Sequence, residues 1–99
     1  IKLMKQTFRN LIFKPHPSDP KYGIQAKLDL KEGYTISVVA GRNFYSTINN
    51  KAADIEYPDS NSFVSFEVGI INPDGGIKVQ GWKNRDEIDR IINNERLWV

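Results

Sequence analysis

The sequence predicts an α+β fold: an antiparallel β-meander sheet of about five strands with one C-terminal helix packed on one face. Three observations carry that expectation. Apolar and polar residues alternate over 24–31, 34–40 and 63–70, the period of a strand with one buried face. Glycine-containing turn clusters, Lys31–Glu32–Gly33 and Asn72–Pro73–Asp74–Gly75–Gly76, separate the runs. Helical spacing is confined to one late segment, where Ile88, Ile91 and Ile92 follow Asn84. The 99 residues suffice for a single domain, 1–99, with no room for a separate cofactor domain.

The elements read in order as follows. Gln6–Lys14, with Phe8, Leu11, Ile12 and Phe13, reads as a first strand. It is closed by Pro15, Pro17 and Pro20, whose rings exclude helix and withhold ladder donors, so 14–20 is expected to be a stiff extended connection. Ile24, Ala26, Leu28 and Leu30 form the clearest strand. With Gly33 at positive φ in a three-residue turn, Leu30 faces Tyr34, Leu28 faces Ile36 and Ala26 faces Val38.

The second hairpin admits two registers. A Pro73–Asp74–Gly75 loop sets Val68 beside Gln80 and Ile70 beside Lys78, which mixes faces. A four-residue loop sets Ile70 beside Val79. Since a one-residue slip inverts a face, burial favours the second, with Val64, Phe66, Val68, Ile70, Ile77 and Val79 together in the core. Asn84 and Glu87 have capping-box spacing at the helix start, and Asn93–Asn94 a stop. Leu97–Trp98–Val99 is too apolar to dangle and is expected to pack back or meet a partner.

Composition excludes several function classes. With no cysteine, a disulfide framework, a thiolate nucleophile and a cysteine-ligated zinc or iron–sulfur centre are impossible. His16 is the only histidine, so no two-histidine metal site exists. The serines lack a nucleophile-elbow context, and no phosphate-binding glycine loop occurs. Asp54–x–Glu56–x–x–Asp59 lacks the glycine and terminal glutamate of a calcium loop. The expectation is a non-enzyme with no cofactor and no metal. No apolar run reaches the ~18 residues of a membrane span, so no membrane partner is expected and the chain reads as cytoplasmic. Because Ile1 is not a translation start, either residues precede it or Ile1–Leu3 are foreign to the native chain and Met4 is the initiator.

The net charge of +2 hides an asymmetry: residues 1–53 hold nine Lys/Arg against three acids, and 54–99 hold five against nine. Either the basic half has an acidic partner or, the favoured alternative, the halves neutralise one another across strands.

Function is sought in Arg42–Ser62, which has no sustained period and exceeds the ~12–15 residues usual for structureless connections. Arg42, Phe44, Tyr45 and Tyr57 are residue types that anchor interfaces. The bland alternative is a short strand at Phe44–Ile48 with core aromatics. The expectation is a small accessory or inhibitor-type module that binds a protein partner through the 42–62 loop and a sheet edge, with a homo-oligomer through that edge as one form. The alternative is nucleic-acid binding by a basic sheet face, using Lys27, Lys31, Arg42 and Lys51 with Tyr34, Phe44 and Tyr45. Since nothing else completes a histidine-dependent site, His16→Ala should leave function intact; loss of activity in a folded His16→Ala protein would overturn the non-enzyme expectation.

Overall fold

The computed structural model describes residues 6–49 and 56–93. Six antiparallel strands, β1 (Lys14–His16), β2 (Asp19–Asp29), β3 (Thr35–Ala40), β4 (Thr47–Ile48), β5 (Phe63–Ile71) and β6 (Ile77–Lys83), form one sheet, followed by helix α1 (Arg85–Ile92). Strands β1, β2, β3 and β5 are neighbours in that order. Strand β5 is shared: β3 pairs with its residues 67–71, short β4 meets Phe63 and Ser65, and β6 pairs with it as well. The meander and the single C-terminal helix are as the sequence predicts. Among the described residues, no helix is long and apolar enough to cross a membrane.

The β2–β3 hairpin has the expected register, Ala26 opposite Val38 and Leu28 opposite Ile36. Its turn closes with the Leu30 N–H donating to the Tyr34 carbonyl at 2.7 Å, and Gly33 has φ +81°. Beyond it, β3 and β5 bring Val38 against Val68 and Ile36 against Ile70. Ile24, Ala26, Ile36, Val38, Ala40, Phe66, Val68 and Ile70 thereby share one buried face. Ile88, Ile91 and Ile92 of α1 cover it. The helix starts at Asn84 as expected: its Oδ1 accepts from the Glu87 N–H at 2.8 Å, and Glu87 Oε1 accepts from the Asn84 N–H at 3.0 Å.

Three expectations need correction. Residues 6–13 are not a strand. Thr7 caps a single 3-10 turn at Phe8–Asn10, and the segment lies beside the helix, where the Phe8 N–H donates to Asp89 Oδ1 at 2.6 Å. Phe8 and Phe13 pack their rings on Phe66 with centroids 5.1 and 5.8 Å away. These aromatics serve as a second cover of the core face, a task that needs clustered rather than alternating apolar residues. The proline segment is likewise not a mere connection. Lys14 and Pro15 pair with Gln25 and Ile24, and His16 with Asp19; proline is tolerated because β1 is an edge strand with one side unpaired.

The third correction is the β5–β6 register. The loop has three residues, not four: Val68 stands opposite Gln80, Ile70 opposite Lys78, and Val79 opposite Gly69. Turn chemistry decides this. The Asn72 carbonyl accepts from the Gly75 N–H at 3.0 Å, the Asn72 N–H donates to Gly76 at 2.7 Å, and Gly75 takes φ +93°, open to glycine at little cost. Ile77 and Val79 are consequently on the other face of the sheet, 59% and 52% exposed. Val64 is also outside the core at 43%, because Phe63 rather than Val64 turns inward where β4 joins β5 out of register. The Leu97–Trp98–Val99 expectation lies outside the described residues.

Phe66, completely buried at the meeting point of sheet, helix and N-terminal segment, should lose about 3–5 kcal/mol of stability on Phe66→Ala. Val79→Thr should change stability by no more than about 0.5 kcal/mol. Chemical denaturation of the two variants checks both, and a core-sized loss at Val79 would contradict the register.

Candidate functional site

The face of the sheet opposite the helix carries Gln25 and Lys27 from β2, Ser37 and Val39 from β3, Glu67 and Gly69 from β5, and Ile77, Val79 and Gly81 from β6, by strand alternation and register. Val39 is buried yet does not belong to the main core cluster, as its place on this second face requires. The segment after β3 folds back over one end of the face. The Phe44 ring rests on Gly23 and Gly41 and lies 4.6 Å from the His16 ring, while Tyr45 reaches in the other direction, to β6.

Tyr45 is held there by three contacts. Its N–H donates to Glu67 Oε1 at 3.0 Å, its carbonyl accepts from the Trp82 N–H at 2.9 Å, and its ring stands 4.9 Å from that of Trp82. Gly81 makes this approach possible: a side chain there would come within 2.6 Å of the Tyr45 Cβ. Between Phe66/Lys83 and Val68/Gln80 the ladder holds an extra residue on β6. This bulge puts Trp82 at φ +54°. A bulky residue in the left-handed region costs roughly 1–3 kcal/mol and persists only where its surroundings impose it. Here the bond to Tyr45 and the ring contact impose it, while Trp82 stays 60% and Tyr45 59% exposed. With Ile77 and Val79 they line β6 with four large apolar side chains open to solvent. Single exposed apolar residues are ordinary; a contiguous row is the mark of a contact surface.

Among the outer strands, β1 and β6 differ. Strand β1 is three residues long with Pro15 inside it and Pro17 after it, a blunted edge. Strand β6 has seven residues, no proline and, among the described residues, no strand neighbour other than β5.

Of the four residues singled out from sequence, Arg42, Tyr45 and Tyr57 are exposed and Phe44 is half-buried. They do not form one site. Arg42 lies flat on the Tyr22 ring, 3.6 Å from its centroid. Tyr57 donates its N–H to the Lys21 carbonyl at 2.6 Å near that same corner. There Glu56 sits 3.5 Å from the Lys21 amine and raises its pKa above the usual lysine value. Phe44 is a seating residue for the loop, and Tyr45 alone joins the β6 row. Trp82, Ile77 and Val79 were missed; the three-residue-turn signal already applied to Gly33 would have placed the last two. Of the short strand expected at Phe44–Ile48, only Thr47–Ile48 is extended in the sheet.

The basic-face constellation is not assembled either. Lys31 and Tyr34 lie at one end of β3 and Arg42 at the other, about 20 Å apart at a strand's rise, and Lys51 is outside the described residues. Of the acidic trio, Glu56 pairs with Lys21, Asp59 caps a 3-10 turn at Ser60–Ser62, and Asp54 lies outside the described residues. His16 Nδ1 is 3.0 Å from the Ser18 N–H, a turn contact. In comparisons with known proteins, no family model, curated protein or solved structure matches this chain.

Gly81→Ala should displace Tyr45 at a cost of about 1–3 kcal/mol, since the new methyl has no space. The near-ultraviolet circular dichroism of the Tyr45–Trp82 pair should weaken with it. An unchanged spectrum would mean the two rings are not held together in solution.

Proposed function

We propose that this chain is a non-catalytic, cytoplasmic protein-binding module whose contact surface is the free edge of β6 together with the Tyr45–Trp82 pair. One observation carries the reading: four large apolar side chains, Ile77, Val79 and Trp82 of β6 and Tyr45 beside it, are exposed along a strand that, among the described residues, pairs on one side only. An extended partner segment would gain main-chain hydrogen bonds from the edge and side-chain burial from the row. Tyrosine and tryptophan give large contact area at low entropic cost and dominate interface energetics. The loop named from sequence contributes through Tyr45, with Phe44 fixing its path; Arg42 and Tyr57 flank the opposite corner of the sheet.

The test is a paired substitution. Tyr45→Ala with Trp82→Ala should lower affinity for a partner at least ~100-fold, the loss of two aromatic anchors, in a protein that still unfolds cooperatively and loses no more than about 1–2 kcal/mol of stability. Full retention of binding would overturn the reading. Salt separates the runner-up: phosphate contacts make affinity fall steeply with ionic strength, whereas an apolar edge contact loses little. A steep response on oligonucleotides, unaffected by the paired change, would move the function to nucleic acid.

A further inference from the structure

The β6 surface is complementary to itself. The Asn72–Gly76 hydrogen bond fixes the alternation along the hairpin, so Lys78 and Gln80 point their backbone groups at β5. The N–H and C=O groups of Ile77, Val79 and Gly81 therefore point to the open edge. We propose, resting on the protein-binding reading above, that the partner is a second copy of this chain, joined antiparallel through β6 about a twofold axis at Val79.

That register pairs outward-pointing residues only with one another: Val79 with Val79 of the second copy, and Ile77 with its Gly81. Each of those pairs is of the doubly hydrogen-bonded kind. On the apolar face Val79 meets itself, and Ile77 arrives at the position where Gly81 supports the Tyr45–Trp82 rings. Gly76, just before Ile77, presents no side chain to them. On the other face Lys78 falls opposite Gln80, whose Oε1 is buried without a hydrogen-bond partner among the described residues. Rotation about the broad terminal torsion of Gln80 would offer that oxygen to the lysine amine. A shift by one residue would instead set Lys78 directly opposite its own copy, an unfavourable like-charge pair. Charge and polar pairing thus select the same axis as the apolar row. A five-residue strand pair falls short of the roughly 800 Å² per partner of a standard interface. The exposed rings must supply the remainder, and the dimer should be of about micromolar affinity.

Sedimentation velocity of the full chain over roughly 1–500 µM should show passage from the 11.4 kDa monomer to twice that mass. Val79→Lys and Val79→Glu each place like charges on the axis and should each be monomeric, with melting temperatures close to that of the parent at this exposed site. Mixing the two should restore the dimer, because opposite charges then face one another. A parent chain that stays monomeric throughout, variants that still dimerise, or a mixture that does not, would each overturn the proposal. The paired Tyr45→Ala/Trp82→Ala protein distinguishes the two levels. If the parent is monomeric yet binds another protein that the pair of changes releases, only self-association fails. If no binding depends on the pair, the protein-binding role fails with it.

Discussion

A strand has period two, so the length of one turn decides on which side of a sheet every following side chain stands. In this chain the Asn72–Gly76 turn makes that decision for β6. A left-handed Gly75 and two short hydrogen bonds hold three residues in the loop, and the apolar set of β6 leaves the core. Burying Ile77 and Val79 would have gained about 1.5–3 kcal/mol each. The fold forgoes that gain without collapse because the core face is closed from elsewhere: Phe8, Phe13 and Arg85 converge on Phe66, and Ile88, Ile91 and Ile92 of α1 complete the cluster. Lys78 and Gln80 occupy the rim instead, where a lysine stem can lie on apolar neighbours with its charge in water. The second face, with its aromatic pair and apolar row, is a product of that single turn.

What could be read from the sequence follows the same logic. The β2–β3 hairpin was legible because turn chemistry and alternation agree there; Gly33 and the Leu28–Ile36 pair give one answer. At β5–β6 they disagree: burial favours one register and turn chemistry the other, and turn chemistry prevails because β6, among the described residues, has no second neighbour to enclose it. The helix was legible down to its cap, since Asn84 and Glu87 are local signals that packing does not override. Residues 6–13 lack the agreement seen at the first hairpin, since an apolar cluster without strict period suits a packing segment as well as a strand.

The site was half legible for a related reason. Residue type drew attention to Tyr45, but its partner Trp82 lies 37 positions away and meets it only through a bulge and a positive φ, neither of which leaves a pattern in a single sequence. Gly81 is the one local trace. A glycine inside a strand marks either a bulge or a close approach, and here it marks both.

The contacts that finish the core join the two ends of the described chain. Phe8 is bonded to Asp89, Asn93 Nδ2 donates to the Gln6 carbonyl at 3.1 Å, and Arg85 stands over both Phe8 and Phe66. These partners are more than seventy-five residues apart wherever Phe8 or Gln6 meets the helix region, so closing them carries the entropy of a loop of that length. Phe8 and Phe13 are made well before Phe66 and α1, so these rings find their partners only after β5 and the helix have been synthesised. Any state in which the sheet forms before α1 docks leaves one apolar face bare, and such bare faces are where aggregation starts.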